Sequence, residues 1–195
     1  MKLELPIISS DRLLLRLATH QDIPQVLKYF RDNKTYLTPF YPRWFDEFFT
    51  DYYWQHSIEG GILEFINNKS LRLFIFPRYR LDEVIGTVNF TDYVRGAANF
   101  CQLGYSLAES EQGQGYMTEA LRAAIEYVFQ ELNFHRIMAN YMPHNRRSAN
   151  VLKKLGFVVE GYARDYLLIN GKWEDHILTS LINPNWKGDA QSKTP

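Results

Sequence analysis

Glu109-Ser110-Glu111-Gln112-Gly113-Gln114-Gly115-Tyr116 lies between two strongly patterned segments. Before it, Cys101, Leu103, Tyr105 and Leu107 alternate with Gln102, Gly104 and Ser106, the period of a half-buried strand over Phe100 to Leu107. After it, Met117, Ala120, Leu121, Ala124, Ile125, Val128 and Leu132 recur at i, i+3, i+4, i+7, i+8, i+11 and i+15, an amphipathic helical stripe. Such a junction leaves the first N–H groups of the helix without intrahelical partners. The macrodipole adds roughly half a positive charge there, and glycine lets the backbone turn tightly and approach a ligand. The expected product is a pyrophosphate cradle made of main chain. It needs no lysine, and none occurs between Leu81 and Tyr127. The turn lacks the Gly-Lys-Ser/Thr ending of a P-loop. It also lacks the third glycine of a dinucleotide-binding fingerprint and follows several strands instead of opening the chain.

Working outward, Leu13 to Leu17 reads as a strand, and Asp22 as the cap of a helix running to about Phe30. Pro39 and Pro42 predict an irregular loop over Asn33–Arg43. The aromatic spacing of Phe45, Phe48, Phe49, Tyr52 and Tyr53 predicts a helix over Trp44 to Glu59, ended by Gly60-Gly61. Strands follow at Leu71 to Phe76, Val84 to Tyr93 and Phe100 to Leu107, the last two joined by a turn at Arg95-Gly96-Ala97-Ala98. Arg136 to Tyr141 is another strand. Asn145 caps a helix that Gly156 stops. Phe157 to Ile169 and Lys172 to Leu181 form a closing hairpin, because Asn170-Gly171 suits a type I′ turn. The order is strand, helices, three strands, helix, strand, helix, two strands. This is a mixed α/β (α+β) sheet with helices against it, not a strictly alternating doubly wound fold.

A chain of 195 residues, 46% hydrophobic and 15% aromatic, suits one packed domain. Residues 1–186 are expected to form it, with a loose polar tail over 187–195. Lys plus Arg balances Asp plus Glu at 22 each, which gives no bulk signal for nucleic acid or membrane. The charge is uneven, however. Asp46 to Glu64 has acids and no Lys or Arg, while Asn133 to Val159 has five basic residues, with no acid. The acidic run suits a basic substrate and the basic run a phosphorylated cofactor, although solvated faces account for such runs equally well. The lone Cys101 excludes an internal disulfide and fits a reducing compartment. Without a signal-peptide stretch or a membrane-length apolar run, the expected location is cytoplasmic.

Gln112-Gly113-Gln114-Gly115-Tyr116-Met117 resembles the Gln/Arg-x-x-Gly-x-Gly/Ala motif of the GNAT acetyltransferases, with Met117 replacing the usual small last residue. Asn145-x-x-Ser148 followed by Lys154-Leu155-Gly156-Phe157 resembles the later signature of the ribosomal-protein-alanine acetyltransferase (RimJ/RimL-like) branch, which tolerates that replacement. His135 to Asn145 and Glu160 to Gly171 resemble the RimJ type in particular. Similarity runs from about Ser10 to Trp186. It implies the acyl-CoA N-acyltransferase fold, a splayed, mostly antiparallel sheet flanked by helices. The strands Gln102–Leu107 and Arg136–Tyr141 would diverge as a V. Acetyl-CoA would lay its pantetheine arm in the gap, along backbone such as Leu103 and Tyr105. Its pyrophosphate would sit on the amides of Gln112, Gly113, Gln114, Gly115, Tyr116 and Met117, with Asn145 near the thiol. The implied acceptor is the N-terminal alanine of a small-subunit ribosomal protein, with association with the ribosome allowed and no membrane or direct nucleic-acid site.

Amide formation from a thioester needs a neutral amine, a polarised carbonyl and a protonated leaving thiolate. An α-amine with a pKa near 8 is roughly a tenth neutral at pH 7, whereas lysine near 10.4 is far less so. A modest base then suffices, and binding both substrates in one cleft supplies positioning. Direct transfer in a ternary complex is expected, without an acyl-enzyme. The resemblance suggests Ser148 as the acid for the thiolate, although Ser148 also suits a helix-start bond to Asn145. It supports Glu160 as the base ahead of the alternative, a solvated strand position. Tyr141, Tyr162 and Tyr166 are secondary candidates for the acid, and strand aromatics usually pack in a core. A backbone N–H at Leu103 or Tyr105 would polarise the carbonyl. Cys101 is expected to be packed in its strand. His135, His144 and His176 are expected to be structural or on the surface, and no metal is expected. The peptide would enter between the Asn33–Arg43 loop, with the acidic helix after it, and the hairpin near Asn170-Gly171. Two alternatives share these motifs: an acetyltransferase for a small amine such as a polyamine or aminoglycoside, and a non-catalytic acyl-CoA-binding ribosome-assembly module.

Overall fold

The computed structural model describes residues 5–188. Its strands are β1 (Ile7–Ser9), β2 (Leu13–Arg16), β3 (Leu71–Pro77), β4 (Gly86–Val94), β5 (Phe100–Leu107), β6 (Arg136–Tyr141), β7 (Val158–Ile169) and β8 (Lys172–Ile182). They form one eight-stranded sheet in the order β1-β2-β3-β4-β5-β6-β8-β7. Every neighbouring pair is antiparallel except β5–β6, which is parallel. A parallel pair needs a crossover, and α4 (Tyr116–Gln130) provides it. The remaining helices are α1 (Ile23–Asp32), α2 (Lys34–Leu37), α3 (Asp51–Ile66) and α5 (Arg146–Lys154).

Strand alternation sends side chains into two separate cores. Leu13, Leu15, Leu73, Ile75, Val88, Phe90, Cys101 and Leu103 pack with the α4 stripe of Ala120, Leu121, Ala124 and Val128. Phe74 and Phe76 join Val26, Leu27 and Phe30 of α1 and Trp54 and Ile58 of α3 in a second core. That core is rich in rings. Phe30 stacks on Trp54 at 5.1 Å and meets Phe48 edge-on at 4.9 Å, while Tyr41 stacks on Trp44 at 4.8 Å. Each such pair adds about 0.5–1.5 kcal/mol beyond its buried area.

The structure departs from the sequence reading at several places. A short strand, β1, precedes the expected first one. Asp22 occupies the N-cap position of α1, but its side chain makes no cap bond. It accepts instead from Thr19 N at 2.7 Å and from both Arg16 guanidinium nitrogens, at 2.6 and 2.7 Å. The stretch read as a loop over 33–43 contains α2 and a 3-10 turn at Thr38–Phe40. The helix expected over 44–59 begins later, at Asp51, where Thr50 Oγ1 accepts from Tyr53 N at 3.2 Å. It then continues through Gly60-Gly61 to Ile66. Gly61 is buried, but a Cβ there would meet only the Arg72 side chain at an ordinary 3.6 Å, and Gly60 faces open space, so neither glycine interrupts the helix. Of the expected helix before Asp51, only Asp46–Phe49 is helical, as a 3-10 turn, and the aromatic residues of that stretch join the ring cluster. Of the expected tail, residues 189–195 lie outside the described residues. No helix among the described residues is long and apolar enough to cross a membrane.

Candidate active site

After β5, Glu109–Glu111 makes a 3-10 turn, and Gly113 and Gly115 follow with φ of 76° and 81°. A Cβ is strained at such angles, so the glycines let the chain reverse into α4. The N–H of Gln112 is occupied, donating to Glu109 O at 3.2 Å. The helical ladder then begins at Glu119 N, which donates to Gly115 O at 3.1 Å. Among the described residues, no backbone acceptor takes the N–H groups of Gly113 to Met117. The free donor set is therefore shifted one residue along from the one the sequence suggests, since Thr118 N–H, before the ladder, is unpaired among them as well. Two arginines brace this turn. Arg12 donates to Gln114 O at 3.1 Å, pairs with Glu119 at 2.6 Å and lies over the Tyr116 ring. Arg80 pairs with Glu111 at 2.9 Å, and Tyr79 meets Tyr116 hydroxyl to hydroxyl at 3.2 Å.

β5 and β6 pair from Phe100↔Arg136 to Leu103↔Ala139 and then part. Asn99 O accepts from Arg136 N, and Ala108 N donates to Ile85 O in the opposite direction. Backbone groups alternate along a strand, so odd-numbered residues of β5 face β6. Leu103 is matched by Ala139 at the last rung, whereas Tyr105 turns its N–H and C=O groups into the open gap; beyond it Leu107 O is taken by Gln112 Nε2 at 3.3 Å. Two cavities meet there. One, of about 120 Å³, is lined by Leu107, Gln112, Met117 and Val151 on the side of the turn. The other, of about 450 Å³, is lined by Gln102, Asn140, Tyr166 and His176 among others. Phe40, Tyr41, Tyr105, Asn145 and Ser148 line both.

At that junction Asn145 Oδ1 accepts from Ser148 N at 3.1 Å and caps α5. The cap aims the first turn of α5 at β5, and Ser148 Oγ lies 2.7 Å from the Tyr105 hydroxyl. Burial pushes the Tyr105 phenol up to about 12, against the opposing pull of its bond to Ser148. It stays protonated throughout the neutral range and can serve as a donor. A proton donor pair, a gap edged by free backbone groups and an unpaired helix start thus share one cleft.

The family model for the acetyltransferase (GNAT) domain matches residues 12–158. The chain belongs to the GNAT acetyltransferases. It is 44% identical, over 92% of both chains, to the [ribosomal protein uS5]-alanine N-acetyltransferase of Escherichia coli. The crystal structure of ribosomal-protein-S5-alanine acetyltransferase from Vibrio fischeri superposes with a TM-score of 0.88 at 37% identity, covering 93% of this chain and 99% of that one. Mycobacterium smegmatis RimJ in complex with CoA-disulfide gives a TM-score of 0.82 at 26% identity, covering 91% of this chain and 85% of that one. The splayed, mostly antiparallel sheet expected from the motifs is the GNAT sheet found here.

The other GNAT site candidates divide. Met117 is buried and lines the smaller cavity. Glu160 is not among the cleft-lining residues. Its carboxylate is held by Arg136 and accepts from Ser180 Oγ at 2.7 Å. The Ser180 bond first and Arg136 second hold it below the ordinary carboxylate range, which weakens it as a base. Tyr141 and Tyr166 line the larger cavity, whereas the Tyr162 hydroxyl bonds Asp175 instead. Cys101 is buried on the core side, and burial pushes its thiol up. His135 packs on Trp186. His176, expected to be structural or on the surface, is buried and faces the cleft.

Sequence reasoning misses Tyr41. Its carbonyl accepts from Asn170 N at 2.9 Å, joining the loop to the closing hairpin. Its hydroxyl meets Ser106 Oγ, to which Tyr29 and Thr87 also bond. The loop and hairpin flank the larger cavity as expected, through Phe40, Tyr41, Pro42, Tyr166, Leu167 and Ile169. No residue of α3 lines it, so the acidic helix is set back from the cleft.

Proposed function

We propose that this chain transfers the acetyl group of acetyl-CoA to the N-terminal alanine amine of a small-subunit ribosomal protein, in the cytoplasm, by direct attack within a ternary complex. The observation that carries this is the gap beyond Leu103↔Ala139, with unpaired amides at one end and the Ser148–Tyr105 hydroxyl pair inside it. Residues up to 186 act as one catalytic domain. The acceptor class rests on likeness to the uS5-alanine enzyme of Escherichia coli.

The donor set fits a diphosphate. The N–H groups of Gly113 to Met117 are unpaired at a helix start where the dipole favours an anion. Arg12 and Arg80 are engaged by Glu119 and Glu111, so they shape the turn and leave the main chain to bind. Bound acetyl-CoA supplies an activated acyl group. Tyr105 N–H, on the free edge of β5, is the donor placed to polarise its carbonyl. Asn145 holds the start of α5, and through it Ser148, at the junction. Ser148 and Tyr105 together donate the proton that the departing sulfur needs. Glu160 keeps a structural role, as partner of Arg136 and Ser180.

The test is to incubate the protein with acetyl-CoA and peptides beginning in Ala, beside polyamines and aminoglycosides. Acetylation confined to the Ala peptides is the expected result. Transfer to the small amines alone would shift the acceptor class. Intact-mass comparison of ribosomal proteins from cells with and without the gene then names the substrate, as the one that loses an acetyl increment.

A further inference from the structure

Asn140 Oδ1 is buried and has no hydrogen-bond partner among the described residues. Native structures keep few such atoms, and each asks for an explanation. Asn140 is the first residue of β6 beyond its last rung with β5, and it lines the 450 Å³ cavity. Its Nδ2 donates to the Tyr166 hydroxyl at 3.4 Å, which leaves the oxygen as the free end. His176 lines the same cavity, and its Nδ1 lies 2.9 Å from Glu174 O. A carbonyl only accepts, so Nδ1 carries a proton, and in the neutral ring Nε2 is then the nitrogen with the lone pair. Asn140 pairs with Leu178 across β6–β8, so Asn140 and His176 occupy diagonal positions on one face of the sheet. Tyr166 spans them, bonded to Asn140 and 5.6 Å ring to ring from His176.

Among the described residues that line this cleft none is Lys or Arg; the one carboxylate is Asp92, on β4, while Asn140 and His176 are the acceptors on the β6–β8 side. A neutral primary amine has two N–H bonds and one lone pair. With both N–H groups held by acceptors on the sheet, the lone pair is left to attack. We infer that Asn140 Oδ1 and His176 Nε2 receive the two N–H groups of the acceptor amine, and that His176 removes its proton. This deepens the acetyl-transfer reading and rests on it. In the step, the nitrogen–carbon bond forms and the carbon–sulfur bond breaks. The proton on nitrogen goes to His176 Nε2, and the sulfur takes one from the Ser148–Tyr105 pair. The proton on His176 then passes to solvent, and solvent restores the hydroxyl.

The experiment measures steady-state acetylation of an Ala-initiated peptide by the full chain and its variants. Asn140→Ala is expected to raise the peptide KM about 10-fold, while Asn140→Asp, which keeps an oxygen in place, retains most of the affinity. His176→Gln is expected to lower kcat about 100-fold, in the range of a lost general base. Free imidazole should restore part of the rate to His176→Ala. Acetyl-CoA affinity, measured by calorimetry, should stay within about twofold in every variant, which separates an amine site from a merely structural role. Folded Asn140→Ala and His176→Gln proteins with wild-type kinetics would overturn the inference and leave acetyl transfer standing. So would a loss that fell on acetyl-CoA binding instead. A wild-type protein inactive on every amine would overturn both.

Discussion

Ser148 is bound at both ends, its N–H by Asn145 and its Oγ by Tyr105 at 2.7 Å. A structural and a chemical role for this residue are therefore compatible, because one would use the backbone and the other the side chain. Removing the side-chain oxygen should leave the cap intact. Ser148→Ala is expected to reduce kcat about 100-fold with acetyl-CoA KM within about twofold, as for a lost proton donor. Tyr105→Phe should do the same, and the double variant should be little worse than either, because groups that act as a unit are not additive. Kinetics of the two single variants and the double variant check this. Glu160 belongs to the opposite class. With Ser180 and Arg136 holding its carboxylate, Glu160→Gln should keep kcat within about threefold and lower the melting temperature by a few degrees, the size of a lost charged hydrogen bond. A collapse of kcat without a change in melting would restore it as the base.

At the level of elements, the order of β5, turn and α4 was legible, although the 3-10 turn that occupies Gln112 N–H was not. The strand period, the glycines and the helical stripe are all local, and they agree. The closing hairpin was legible for the same reason, since Asn170 and Gly171 both take positive φ, as a type I′ turn demands. The elements misread were those set by distant partners. Asp22 is drawn from its cap by Arg16, and α3, anchored in the core by Trp54 and Ile58 beside Phe74, runs on through Gly60-Gly61 to Ile66. The Arg12–Glu119 brace spans 107 positions and leaves no local signature. Nor does the orphaned oxygen of Asn140, which depends on where β6 leaves β5. The turn itself offers a direct test. Gly113 has open space around the missing Cβ, so Gly113→Ala is strained only through its φ of 76°. It should cost about 1–2 kcal/mol in stability. It should also raise acetyl-CoA KM several-fold as the free amides shift, with the peptide KM unchanged. Urea melts and two-substrate kinetics separate the two effects.

Over the whole molecule, carboxylates fasten the sheet to its helices. Burial raises Asp22 and Glu119, but hydrogen bonds from Arg16 and Thr19, and from Ser10 and Arg12, bring both below their ordinary range. Glu64 is lowered first by Ser70 and then by Arg72. These three contacts hold α1 to β2, α4 to the β1–β2 turn, and α3 to β3. Each folded-state pKa lies below its unfolded value. The unfolded chain therefore binds more protons over that interval, and stability rises with pH across it. The contribution is complete above the ordinary carboxylate pKa of about 4 and disappears as pH falls through the lowered folded values. The melting temperature should accordingly be flat from neutrality to about pH 5 and drop steeply below about pH 4. Glu119→Gln cannot titrate. It should melt lower than the parent at pH 7, and the gap should narrow as the pH falls, because the parent then loses the same ionised contact. Calorimetric scans of both proteins across this range decide the matter. A gap that stayed constant into the acid range would mean that Glu119 contributes through packing, and that the hold of α4 on the β1–β2 turn does not depend on its charge.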